Sequence, residues 1–248
     1  MHLSMSYKNA SKWGLLVLLI GLVLSALLTG LTGRMNAQTI EQALRENAEQ
    51  ISENVINRIT LYQYGLRGAR GTIVTAGEHD ISRASFHRYS LTRDVDHEFP
   101  GARGFGFIRR VPSADEAAFI ARVRQDDWPD FNIRQLHAHD GERYVIEYIE
   151  PVDRNKAAVG LDIASEAHRK AAADAAMLSG EVRLSAPITL VQATGRPLQS
   201  FLILQPIYRT GLVPKTQQDR LSAGYGWSYA PLVTNEVLMG LALNQKMT

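Results

Sequence analysis

Hydrophobic residues along the 248-residue chain fall into one unbroken block followed by periodic patterns. Positions 13–33 carry no charge, and 15–31 are almost wholly apolar. About 20 helical residues cross the hydrocarbon core of a bilayer, so this block predicts a membrane-spanning helix over 13–33. Lys8 and Lys12 precede it and Arg34 stands alone after it. Basic residues favour the cytoplasmic side, which puts 1–12 in the cytoplasm and everything after Arg34 outside. Trp13 then lies at the inner boundary. The alternative is a cleaved signal peptide, whose apolar run is shorter and ends in a small-residue cleavage site; Met35-Asn36-Ala37 imitates such a site poorly.

Over 34–75 the pattern changes. Ile40, Leu44, Ile51, Val55, Ile59, Tyr62 and Leu66 recur at helical spacings, with Glu41, Arg45, Glu46, Glu49, Glu53 and Arg58 between them. A narrow apolar seam of this kind suits helices that pair, or a helix packed on its own domain. Both are expected here, the first half pairing into a parallel homodimer and the second half docking. Gly65, Gly68 and Gly71 fall on nearly one side, where they permit a close approach of the following domain or end the helix.

Beyond 76 the signals alternate. A short helix is expected over 83–91, a turn at Phe99-Pro100-Gly101 and a strand over 104–111. Ser113 and Glu116 read as a capping box for a helix over 114–125. Strands over 131–138 and 143–150 flank Asp140-Gly141, a strong hairpin signal. Ser165 can cap an alanine-rich helix that Gly180 stops. Strands over 187–192 and 198–208 meet at 194–197. The fold class expected is α+β: an antiparallel sheet of about five strands with helices on its faces, spanning 76–209. A polar linker over 210–222, a strand over 225–229 and a helix over 233–243 read as the incomplete start of a second unit, 210–248.

Charge and composition narrow the function. The net charge is +2 and the basic residues are scattered, which excludes nucleic acid as a partner because phosphate binding needs a concentrated basic face. Absence of cysteine excludes disulfides and thiolate sites, but says nothing about compartment. His137 and His139 share a strand face without a third ligand, and read as polar residues at a hairpin tip rather than a metal site. Gly226-Trp227-Ser228-Tyr229-Ala230 imitates a nucleophile elbow but lacks its second glycine. Asp115, Asp126, Asp127 and Asp130 read as a solvated loop. No catalytic residue, metal or cofactor is expected, and a periplasmic hydrolase lacks a nucleophile–base pair. Asp162 differs, because it lies in the apolar segment Val159-Gly-Leu-Asp-Ile163 and must find donors there. Those donors belong either to the start of the next helix or to a ligand.

Several blocks carry a resemblance. Residues 99–112 (FPGARGFGFIRRVP), Tyr148-Ile-Glu-Pro151, Asn155, 160–166 (GLDIASE), Arg169, Gly180 and 185–190 (SAPITL) resemble the CHASE family, the extracellular sensory domain of cyclases and histidine kinases. The resemblance implies a PAS-like membrane-distal part, 76–209, and a second PAS-like subdomain of which 210–248 is the incomplete start. It implies a receptor in the inner membrane, its sensor domain periplasmic or extracellular. Output would follow as a histidine kinase of a two-component system, or as a diguanylate cyclase or phosphodiesterase, outside these residues. The chain stops at Thr248 before a second membrane helix, which reads as a fragment or a truncated product. In the plant cytokinin receptors of the family, the position of Asp162 and a backbone group at Leu184 bind the adenine ring, so a small planar, purine-like ligand is one implied partner. The competing reading is an anchored periplasmic binding or adaptor protein with a separate signalling partner.

Overall fold

The computed structural model describes residues 7–190 and 199–243, with side chains over 13–190 and 199–239. The expected turn at 194–197 lies outside the described residues. Two units are present, one ending at Asn54 and one beginning at Val55, and helix α1 (Tyr7–Ala76) is assigned across both.

In the first unit the apolar side chains from Leu15 to Ile51 are exposed. One 18-residue window reaches a mean hydropathy of 2.6, so the helix is long and apolar enough to cross a bilayer. Ile40, Leu44 and Ile51 leave their seam open in the single chain.

In the second unit α1 becomes a docking helix. Tyr62, Leu66, Ala69 and Ile73 are fully buried at steps of four, three and four, a single stripe facing the core. They pack with Phe86 of α2 (Arg83–Ser90), Val95 of α3 (Val95–Glu98), Phe99 and Phe105. A Cβ added at Gly65 would lie 2.2 Å from the Phe105 ring, and one at Gly68 would lie 2.7 Å from the Tyr89 hydroxyl. Gly71 faces open space. Close approach therefore accounts for two of the three glycines.

Among the described residues the sheet is mixed and has eight strands. They are β1 (Phe105–Val111), β2 (Arg134–Gln135), β3 (Arg143–Glu150), β4 (Leu161–Asp162), β5 (Arg183–Leu184), β6 (Ile188–Thr189), β7 (Gln199–Tyr208) and β8 (Gly224–Val233). The order is β2-β4-β3-β1-β8-β7-β5, with β6 also paired to β7. Side chains alternate between two cores, as a period of two requires. Leu202 and Leu204 of β7 with Trp227 and Tyr229 of β8 face α4 (Glu116–Gln125) and α5 (Ala167–Ser179). Ile203, Ile207, Ala230 and Leu232 face α1 and α2. Covered on both sides, β8 is buried along its whole length, as central strands flanked by helices are.

Four local expectations are corrected. The Asp140-Gly141 hairpin does not pair its flanks: β4 inserts between β2 and β3, and β2 runs parallel to β4. The Ser113–Glu116 capping box does not form, because Ser113 Oγ donates to the Gly141 carbonyl and Glu116 pairs with Arg143. The cap of α5 is Glu166 rather than Ser165; its carboxylate accepts from the amides of His168 and Arg169. The strand expected to open a second unit is β8, which sits between β1 and β7 in the same sheet. The polar stretch before it contains α6 (Gln217–Ala223), and α7 (Thr234–Leu243) follows. Gly180 does stop α5, at a positive φ of 78° that a side chain would strain.

Candidate ligand-binding site

Asp162 is fully buried at the end of β4. Its Oδ1 accepts from the Tyr144 amide at 2.8 Å and the Ala164 amide at 3.0 Å. His139 Nε2 stands 2.7 Å from Oδ2, with Gln135 Nε2 at 3.5 Å. The next turn is fixed by Ser165, whose hydroxyl donates to the Asp162 carbonyl and accepts from the Leu136 amide. Protein donors thus surround this carboxylate and tie β2, β3, β4 and the 3-10 turn Ile163–Ser165 together. Leu184 lies on the edge strand β5, half exposed. Strands β3, β1, β8 and β7 separate β4 from β5, so the structure does not bring Asp162 and Leu184 together.

A different pair converges. Arg169 sits in the first turn of α5, and Arg169, Ala172, Ala173, Ala176 and Met177 are its buried residues. Steps of three, four, seven and eight from Arg169 make one helical face, so a guanidinium occupies the stripe that otherwise meets the sheet. Beneath it lies a cavity of about 10 Å³ lined by Ile146, Leu161, Ile163, Leu190, Leu202 and Tyr229, among others. Arg169 also lines an adjoining open cleft of about 450 Å³ with Leu136, Glu166, Pro187, Ile188, Thr189 and Leu190.

Arg169 is 3% exposed and Tyr229 1%. Arg169 Nη2 donates to the Thr189 carbonyl at 2.7 Å, and Nε is 4.0 Å from Glu166. Its Nη1 and the Tyr229 hydroxyl have no partner among the described residues. Burial lowers the Arg169 guanidinium from its usual value, with Glu166 acting against the shift. Burial pushes the Tyr229 phenol well up, partly offset by the nearby Arg169 charge. The phenol is therefore held as an O–H donor.

A second polar group stands out in β3. Glu147 is fully buried and pairs with Arg109 and with Arg122, the latter at 2.8 Å. Burial pushes its carboxyl up, but the two guanidinium groups outweigh burial and leave it below its usual value. Arg109 Nη1 also donates to the Glu78 carbonyl, two residues past α1. Asp126 is not a solvated loop residue: it accepts from the Arg83 amide and the Tyr148 hydroxyl. His137 is exposed, and among the described residues no three His, Cys, Asp or Glu side chains could hold a metal ion. Ser228 lies within β8 rather than on a strand-to-helix turn.

Sequence reasoning gave Arg169 no role and passed over Tyr229 and Glu147. A charge on a buried alanine face and a carboxylate within Tyr144-Val-Ile-Glu-Tyr-Ile149 were the signals available.

No curated protein matches the chain. The CHASE domain family model matches residues 79–248, which takes in both cores' sheet and the Arg169–Tyr229 cavity. By that match the chain belongs to the CHASE domain family, a family of sensory input modules.

Proposed function

We propose that this chain is the input part of a membrane receptor, receiving a small molecule outside the cell membrane and passing the change to an output domain beyond these residues. The observation that carries the reading is the family match over 79–248 behind a helix apolar enough to span a bilayer. Lys8 and Lys12 orient that helix with its N-terminus in the cytoplasm. The helix-covered sheet is read as the PAS-like part of the domain. Its ligand enters by the cleft beside α5, where the walls are apolar and a few polar groups converge, as in small-molecule sites generally. Asp162 is assigned to holding the wall, because four protein groups already surround its carboxylate. Ligand binding favours one of two arrangements of the sheet against α1, and two stalks paired in parallel carry the difference inward.

Reporter fusions test the orientation on which this depends. Alkaline phosphatase joined after Thr248 is expected to be active in a bacterial host, with a cytoplasmic reporter silent there. The reverse pattern rules out an extracytoplasmic sensor.

A further inference from the structure

We propose that the site beneath α5 takes a small ligand with an apolar body and a terminal carboxylate, seated on Arg169 and Tyr229. The inference rests on the sensor reading above and names the ligand class for its site.

A buried guanidinium is costly unless it is paired and its donors are used. Among the described residues the one carboxylate paired with Arg169 is Glu166, at 4.0 Å from Nε and occupied as the cap of α5. The neutral Thr189 carbonyl takes Nη2. Nη1 and the Tyr229 hydroxyl remain without partners among the described residues, and both residues line the same cavity. Two unused donors beside an under-compensated positive charge call for an anionic acceptor.

Size sets the rest. An inner cavity of about 10 Å³ has room for about one water-sized group, which suits one carboxylate oxygen. Body and tail must lie in the outer cleft, where Leu136, Pro187, Ile188 and Leu190 supply apolar walls. A neutral planar base would leave the Arg169 charge uncompensated. A single ordered water is the occupant that competes, and it would bridge Nη1 and the hydroxyl without selecting any ligand.

The test uses the full chain in lipid nanodiscs, titrated calorimetrically with butyrate, isovalerate and benzoate and with the three corresponding amides. At least one acid is expected to bind ten times or more tighter than its amide. Tyr229→Phe removes one hydroxyl with no partner and should fold as the parent does. It is expected to weaken that acid about ten- to a hundredfold, since a hydrogen bond to a charged group is worth about 1.5–3 kcal/mol and each 1.4 kcal/mol is tenfold. Arg169→Ala should abolish binding of the acid, and Arg169→Lys should restore part of it. Binding by none of the acids, amides bound as tightly as acids, or an unchanged affinity in Tyr229→Phe each overturns the carboxylate inference. A thermal-shift screen of neutral compounds, purines included, separates the two levels. A neutral hit leaves the sensor site standing without its anion, whereas no hit of either class removes the site as well.

Discussion

Glu78 and Arg209 form a two-pronged ion pair, Oε2 to Nε at 2.6 Å and Oε1 to Nη2 at 2.9 Å. Glu78 follows the end of α1 by two residues, and Arg209 follows β7 by one. The Glu78 carbonyl takes a further bond from Arg109 of β1, and Arg70 donates to the Gly211 carbonyl. The last turns of α1 and the residues after them are therefore pinned to β1 and to the end of β7, both of which also meet the α5 core through Ile108, Leu202 and Leu204. The cavity beneath α5 and the end of α1 thus lie against the same strands on opposite faces.

The buried charge cluster predicts a pH response. Glu147 has a folded-state pKa below its usual 4.5, so it binds protons more weakly in the folded than in the unfolded chain. Its stabilising contribution is full above about 4.5 and is lost as pH falls through the depressed folded value. Thermal unfolding followed by circular dichroism should show this loss below pH 4.5 in the parent and a weaker one in Glu147→Gln. At neutral pH Glu147→Gln should destabilise by about 3–5 kcal/mol, because it leaves the buried Arg109 without its counter-charge and removes the partner of the part-exposed Arg122. Equal stability of parent and variant across the range would discount the cluster.

The glycines of α1 give a paired test. Gly65→Ala places a Cβ 2.2 Å from the Phe105 ring and should lower the melting temperature through overpacking, which costs about 1–3 kcal/mol. Gly71→Ala meets nothing within 4 Å and should stabilise by up to about 1 kcal/mol through helix propensity. The same sign of change at both positions would contradict the docking of α1 on β1.

Much of the fold was legible because it is local. The apolar block, the helix at α2, the strand β1 and the glycine stop of α5 each depend on neighbouring residues. What failed depends on distant ones. Asp140-Gly141 favours a turn, but Leu161 and Asp162 are buried while Arg134 and Gln135 are exposed, so burying β4 beside β3 outweighs a local hairpin. Trp227 and Tyr229 gave no hint that their strand lies beside β1, since that pairing joins residues far apart in the chain. For the site, Asp162 was readable as a carboxylate in need of donors. That Tyr144, Ala164 and His139 stand around it, and that Arg169 lacks a full complement, are properties of packing.

Asp162→Ala separates positioning from contact. Loss of the bonds to Tyr144 and Ala164 should lower the melting temperature by several degrees, since buried unsatisfied donors cost about 1–3 kcal/mol each. Folded variant should bind the ligand with near-parental affinity by calorimetry. A tenfold or greater loss of affinity at unchanged stability would make Asp162 a ligand contact.

Pairing of the stalk is read from the exposed seam. Single cysteines at Leu44 or Ile51 should cross-link under mild oxidation in membranes, and those at Glu46 or Glu53 should do so poorly. A flat profile without helical periodicity would argue against a parallel dimer.

The central claim is that occupancy beneath α5 is felt at the end of α1. Hydrogen–deuterium exchange of the full chain in nanodiscs, with and without the tightest compound found by titration or screening, measures this most directly. The account predicts slower exchange over 163–190 together with a change over 73–81, where α1 ends and Glu78 is held. Protection over 163–190 with no change over 73–81 would show binding without transmission and contradict it.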